Sequence, residues 1–188
     1  METTRQLFEQ VQETGLRLNP PVDLPTVERF EAEAGVSLPL DYREFLLNVG
    51  NGGMGQCRLL RLSDWFCSYW IDDPRPCMIA QPCVITPEAW GQEDLWSDKT
   101  NVRDWEKEWD ENRWDPMFGT IAVAEIGCGL FYSLVMTCRF RGRIFSWGDH
   151  ALNPPFLYPE PNFGEWLKSH LDQILAGNPV HFLDGRNR

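Results

Sequence analysis

An α+β fold, in which helices pack against one face of an antiparallel sheet, is what the 188-residue sequence predicts, and three features predict it. Apolar residues recur at helical spacing up to Val49. From Gly119 to Gly148 they fall in short β-branched and aromatic runs separated by glycines. Helical spacing then returns near the end. Helices, then strands, then a helix is the order of a sheet with its helices segregated, and not of alternating βαβ units.

The first helix is expected from about Thr4 to Thr14, with Leu7, Phe8 and Val11 on one face and Gly15 ending it. LRLNPP follows and reads as a linker. Asp23 then offers an N-cap, and Pro25 fits a first turn, where its missing N–H has no partner to lose. Leu24, Val27, Phe30 and Ala34 recur at helical spacing, and Gly35 suits the left-handed C′ position with Val36 folding back. A third helix starts near Pro39 and aligns Tyr42, Phe45, Leu46 and Val49, with Asp41, Arg43, Glu44 and Asn48 opposite.

CRLLRL (57–62) and PCMIAQPCVIT (76–86) are expected strands. GTIAVAEIG (119–127), GLFYSLVMTC (129–138) and GRIFSWG (142–148) carry the stronger pattern and should form an antiparallel meander. A last helix runs from about Asn162 to Ala176. Asn162 is its N-cap, Glu165 holds the capping-box position, and Gly177 ends it. Phe163, Trp166, Leu167, Leu171 and Ile174 form its buried face. The sequence is expected to make one domain over 1–188, with an insertion at about 62–116.

Composition narrows the function. Seventeen Lys and Arg against 28 Asp and Glu give a net charge of −11, which repels nucleic-acid backbones and anionic membranes and attracts basic partners. METTRQLFEQVQETG is polar and amphipathic, unlike a signal peptide, and no stretch reads as a membrane span. A cytoplasmic location is the expectation. None of the six cysteines (Cys57, Cys67, Cys77, Cys83, Cys128, Cys138) forms a C-x-x-C pair, so neither zinc nor a redox dithiol is indicated. Mostly buried free thiols, and no cofactor, are expected.

The run VGNGGMG (49–55) raises the question of a phosphate cradle. Such a loop follows a strand and opens a helix, so that phosphate meets free N–H groups and the positive end of the dipole. Here the loop follows a helix, and no Lys-Ser or Lys-Thr comes after it. Helix termination and a tight turn explain Gly50, Gly52 and Gly53 better.

The same region carries a resemblance. Glu31 and Gly35, then Leu38 and Pro39, Tyr42, Phe45 and Leu46, then Asn51, Gly52 and Gly53 resemble the signature of the SUKH superfamily, closest to its Smi/Knr branch. IAVAEIGCGLFYSLVM resembles that family's strand pair, GRIFSWGDH its strand ending in a tryptophan (Trp147) near a histidine (His150), and FGEWLKSHLD its final helix. The similarity covers roughly 23–61 and 117–176 and rests mostly on apolar residues and glycine, which report a fold rather than a chemistry. Met54 and Gly55 extend the glycine loop beyond the pattern, and a long insertion separates the matching halves.

Residues 62–116 hold seven of the nine tryptophans, and 92–115 contain nine acidic residues against four basic. Asn101 caps a possible helix with Asp104 at N3, on which Val102, Trp105 and Trp109 share a face. Tryptophans at helical spacing usually belong to a core. The functional alternative is an acidic docking surface with aromatic anchors, formed by Asp104, Trp105, Glu108, Trp109, Glu111 and Trp114. Both hold together if they use opposite faces.

An enzyme needs a nucleophile beside a base, paired carboxylates or a metal cluster. The only suggestive group is Asp149–His150 after a strand, with Glu125 on a neighbouring one, and adjacent residues of extended chain point opposite ways. A non-enzymatic protein is therefore expected. The resemblance implies a bacterial immunity protein that occludes a cognate polymorphic toxin, a nuclease or a nucleic-acid deaminase. Its partner would be a basic toxin domain, with no direct contact to nucleic acid and no membrane. The alternative it implies is a regulatory or scaffolding module of the cell-wall-signalling type. Neither the particular toxin nor the oligomeric state follows from the sequence.

Overall fold

The computed structural model describes residues 2–54, 58–66, 76–83, 118–127, 129–148 and 156–177. The elements in chain order are α1 (Glu2–Glu13), β1 (Arg17–Leu18), α2 (Leu24–Ala34), α3 (Leu40–Asn48), β2 (Gly53–Met54) and β3 (Arg58–Leu59). Two 3-10 turns follow, Leu62–Asp64 and Pro76–Ala80, then β4 (Thr120–Gly127), β5 (Leu130–Val135), β6 (Ile144–Gly148), β7 (Phe156–Leu157) and α4 (Phe163–Leu175). The strands form one sheet in the order β1 to β7, every neighbouring pair antiparallel. The fold is α+β, as the periodicities predict.

The helices start and stop where local chemistry directs. Asp23 Oδ1 accepts the Thr26 N–H at 3.0 Å and caps α2. Gly35, at φ 70°, ends that helix in the left-handed conformation, its N–H donating to the Glu31 carbonyl at 3.0 Å. Asn162 Oδ1 accepts the Glu165 N–H at 2.9 Å and caps α4. A second cap on α4 comes from outside it: Asp41 Oδ2, in the first turn of α3, accepts the Gly164 N–H at 2.9 Å. One carboxylate thereby sits at the positive end of both helices and ties them together.

The buried faces of the four helices among the described residues meet one face of the sheet. Leu7 and Val11, then Val27, Phe30 and Ala34, then Tyr42, Phe45 and Leu46, then Phe163, Trp166, Leu167 and Leu171 join Leu59, Ile121, Leu134 and Ile144 in the main core. Leu24 departs from its expected stripe and is exposed, because the first helical residue lies outside the packed turn. On the opposite face, Leu60, Ala122, Phe131, Val135, Phe145 and Trp147 form a second apolar cluster. The register explains the division. Ile121, Leu134 and Ile144 are cross-strand partners on the helix side, and Ala122, Ser133 and Phe145 are partners on the other. A bulge between Ala122 and Ala124 places Val123 and Ala124 both in the main core.

Three expectations need correction. LRLNPP is not only a linker, because Arg17 and Leu18 pair with Met54 and Gly53 as the outermost strand. The segment expected as a strand from 76 begins as a 3-10 helix, Pro76–Ala80, which packs on α2 and buries Ile79 in the main core; residues 84–86 lie outside the described residues. Of CRLLRL, Arg58–Leu59 pair as a strand and the Leu60 N–H continues to the Val123 carbonyl at 2.9 Å before the chain turns into the 3-10 helix at Leu62; Cys57 lies outside the described residues.

Two predictions arise from this architecture. Cys138 is exposed and holds a left-handed φ of 65°, which costs a residue with a Cβ about 1–2 kcal/mol. Cys138→Gly should therefore raise stability by about 0.5–1 kcal/mol after glycine's greater entropy loss is subtracted, read as a higher midpoint in urea. Asp23 differs in kind: hydrogen bonds from the Thr26 side chain and then its backbone hold the carboxyl below its ordinary value. A depressed carboxyl stabilises above its unfolded pKa and loses that contribution as pH falls through the folded value. Asp23→Asn keeps a capping oxygen without the titration, so its urea midpoint should fall less than that of the parent between about pH 5 and pH 2.

Candidate functional site

The glycine run closes a junction between helix and sheet. At the end of α3, the N–H groups of Val49 and Gly50 both donate to the Phe45 carbonyl, at 2.8 and 3.0 Å. Asn51 N–H then donates to the Asn19 carbonyl at 3.2 Å and Asn19 N–H to the Gly52 carbonyl at 2.9 Å, which extends the β1–β2 ladder by one rung. Gly52 has φ +71°, and a Cβ there would lie 2.7 Å from the Arg61 nitrogen. A Cβ on Gly53 would overlap the Arg17 carbonyl, with Leu18 Cα at 2.8 Å. Glycine is required because three backbone segments touch. The amides of Gly50 and Asn51 are already bonded to backbone, so they do not point at a ligand.

The Asn51 side chain completes the junction. Its Oδ1 accepts the Leu62 N–H at 2.8 Å, and its carbonyl accepts Asn19 Nδ2 at 3.0 Å. Glu31 does similar work at the start of α3: Oε1 accepts the Leu38 N–H at 2.8 Å and lies 3.5 Å from Arg43 Nε, joining α2, the Leu38–Pro39 turn and α3. Leu38, Pro39, Tyr42, Phe45 and Leu46 are buried. Tyr42 meets Phe163 edge-on at 4.8 Å, and Phe45 does so at 5.1 Å. Burial pushes the Tyr42 phenol far above its ordinary range, so it stays neutral. Trp147 lies on the opposite face, where Nε1 donates to Ser133 Oγ at 3.0 Å and its ring packs on Phe131 at 5.0 Å.

The acid–base candidates do not assemble among the described residues. Glu125 lies 3.2 Å from Arg58, which also faces Asp64 at 3.5 Å, a half-exposed ion-pair cluster. Asp149, His150 and His181 lie outside the described residues. His170 is buried on α4, with Nδ1 2.7 Å from the Trp166 carbonyl and its ring among Trp166, Tyr158 and Tyr132. No group of three or more His, Cys, Asp or Glu side chains among the described residues is placed to hold a metal ion. Of the thiols expected to be mostly buried, Cys83 is buried and Cys77 and Cys138 are exposed. Cys57, Cys67 and Cys128 lie outside the described residues.

The six expected partner-binding residues, Asp104, Trp105, Glu108, Trp109, Glu111 and Trp114, all lie outside the described residues. Of the tryptophans before them, Trp65 is described and serves the core, edge-on to Phe30 at 6.5 Å and to Phe66 at 5.5 Å. Sequence reasoning passed over the β5–β6 turn. Arg139 and Arg143 stand 4.7 and 5.6 Å from the Phe140 ring centre, and Arg141 Nη2 donates to the Ser37 carbonyl at 2.8 Å. Three arginines within five residues of so acidic a chain were the available signal.

The junction yields a test. Asn51→Ala leaves the part-buried Leu62 N–H without its acceptor and should cost about 1–3 kcal/mol, measured by urea unfolding with an unchanged slope. Asn51→Asp, which keeps an acceptor at that position, should retain most of the stability.

No helix among the described residues is long and apolar enough to cross a membrane. No curated protein matches the chain. A family model does match it, over residues 21–169, a span that runs from the turn before α2 into α4 and includes the Glu31 clamp, the Asn51–Gly53 junction and Trp147. The chain belongs to the SMI1 / KNR4 family (SUKH-1).

Proposed function

We propose that the chain is a non-enzymatic bacterial immunity protein of the cytoplasm, which binds a cognate polymorphic toxin of the nuclease or deaminase class and occludes its basic active-site surface. Family membership supports a protein-binding role, and the net charge of −11 is the observation that carries the choice of partner. A toxin that grips phosphates presents a basic groove. An acidic protein is drawn to that groove from a distance and competes there with nucleic acid.

The contact is assigned to the acidic segment, with Asp104, Glu108 and Glu111 meeting the basic groove and Trp105, Trp109 and Trp114 as candidate anchors. Burial inside the fold already occupies Leu38, Pro39, Tyr42, Phe45, Leu46 and Trp147, so the surface that selects a toxin lies elsewhere. The hydrogen bonds of Asn51 and the crowding around Gly52 and Gly53 give these three a structural role as well.

The test is capture of partners from native lysate by the tagged chain, washed at low and high salt. One basic, nuclease-like protein held with a nanomolar-class dissociation constant supports this function. A broad set of weak, salt-labile partners supports the regulatory or scaffolding module instead. Against the isolated toxin, reversing Asp104, Glu108 and Glu111 to Lys should weaken binding about ten- to a hundredfold, three rim pairs at about 0.5–1 kcal/mol each. Thermal unfolding should stay unchanged. Unaltered affinity would place the contact elsewhere.

A further inference from the structure

The register of the sheet lines up one row of side chains across β1 to β6. Arg17 pairs with Met54, Met54 with Arg58, Arg58 with Glu125, Glu125 with Phe131 and Phe131 with Trp147. Cross-strand partners share a face, so the row lies on the side away from the helices, where Phe131 and Trp147 belong to the second cluster. Its two halves differ. Phe131 and Trp147 are buried, whereas Arg17 is exposed, Met54 is 62% exposed, and Arg58 and Glu125 are partly exposed. Along this row the face is open from β1 to β4, a strip about 14 Å wide at the usual spacing of strands.

The chemistry of the strip limits what can occupy it. An exposed methionine between two arginine stems is interface material, since Met and Arg are both enriched where proteins meet. Strand addition along the free edge is disfavoured, because β1 is two residues long and Pro20 and Pro21 follow it closely. A basic protein, such as the toxin proposed above, would meet like charge at Arg17, which has no ion-pair partner among the described residues. The order of the row decides the rest. From the edge inward it reads cation, apolar, cation, anion; turned end for end it reads anion, cation, apolar, cation. Laid on itself about a two-fold axis between Met54 and Arg58, the row sets each Arg17 against the second copy's Glu125. Each Met54 then lies on the stem of the second copy's Arg58. Such self-complementarity is what a two-fold contact requires.

We propose that the strip of Arg17, Met54, Arg58 and Glu125 is a contact between two copies of this chain related by a two-fold axis, with the methionines near its centre and an Arg17–Glu125 ion pair at either end. Glu125 meets Arg58 of its own chain through Oε1 at 3.2 Å, and a carboxylate has a second oxygen with which to hold the other copy's arginine. The contact is small, so the dimer is weak and reversible. Chains of net charge −11 repel one another, and at physiological salt that repulsion is screened beyond about 8 Å. Contacts at the strip lie well inside that distance. The assignment does not rest on the toxin.

Sedimentation equilibrium of the full chain at physiological salt tests it, over loading concentrations from about 1 μM to about 1 mM. A reversible monomer–dimer equilibrium with a dissociation constant of about 10–100 μM is expected. A chain that stays monomeric throughout, or that assembles without stopping at the dimer, overturns the proposal. Arg17→Glu sets like charges together at both ends of the contact and should weaken the dimer at least tenfold, and Glu125→Arg should do the same. Mixed in equal amounts, the two variants should associate at least tenfold more tightly than either does alone, because every end pair again joins opposite charges. Dimers untouched by either reversal, or a mixture no tighter than its components, overturn the proposal. Both side chains are at least partly exposed, so each variant should unfold near the parent's temperature. No toxin enters these measurements, so a failed immunity assignment leaves the test intact.

Discussion

The structure hangs on a place where three backbone segments approach too closely for side chains. Asn19, Asn51–Gly53 and the chain at Leu59–Arg61 are stacked so that a Cβ on Gly52 or Gly53 would run into neighbouring main chain. Because α3 ends directly into this stack, the position of the helix relative to the sheet follows from backbone contact rather than from adjustable side chains. The rest is referred from there. Tyr42 and Phe45 on α3 set the depth of Phe163, Asp41 sets the N-terminus of α4, and the Glu31 carboxylate holds the Leu38 turn that starts α3. A layer of helices carried by one junction explains why the shared motif clusters so tightly in the chain.

Much of this was legible in the sequence, and the features that were share a cause. The stripe Tyr42, Phe45 and Leu46, the caps Asp23 and Asn162, the stop at Gly35 and the runs that became β4 to β6 are all specified within a turn or two of chain. What escaped depends on distant partners. Nothing within LRLNPP announces that Arg17 and Leu18 will pair with Gly53 and Met54. Nothing near Asp41 announces a cap for Gly164. The apolar residues of Pro76–Ala80 suit a strand as well as a 3-10 turn, and packing against α2 decided between them. The candidate partner surface, read from acidic composition and from the helical spacing of Trp105 and Trp109, lies outside the described residues.

Charge acts on two scales. The net charge of −11 sets a field that extends about a Debye length, roughly 8 Å at physiological salt, and governs which proteins approach. The arginines act at contact range: Arg58 on β3 balances Glu125 on β4 and Asp64 in the Leu62–Asp64 turn, and Arg141 fastens the β5–β6 turn to the α2–α3 connection. These two arginines thus join one element to another.

The residues that carry the family resemblance accordingly lie in the interior. The motif side chains of Leu38, Tyr42, Phe45 and Leu46 are consumed in the core, and the glycines in backbone contact, so none presents a surface to another protein. Leu40, at 72% exposure, and Met54, at 62%, sit within the motif region yet outside its pattern and do face outward. A fold maintained by an interior signature can change its exterior without disturbing the junction that positions it. Such a division would suit the binding role proposed above: the interior specifies a platform and leaves the exterior free to change.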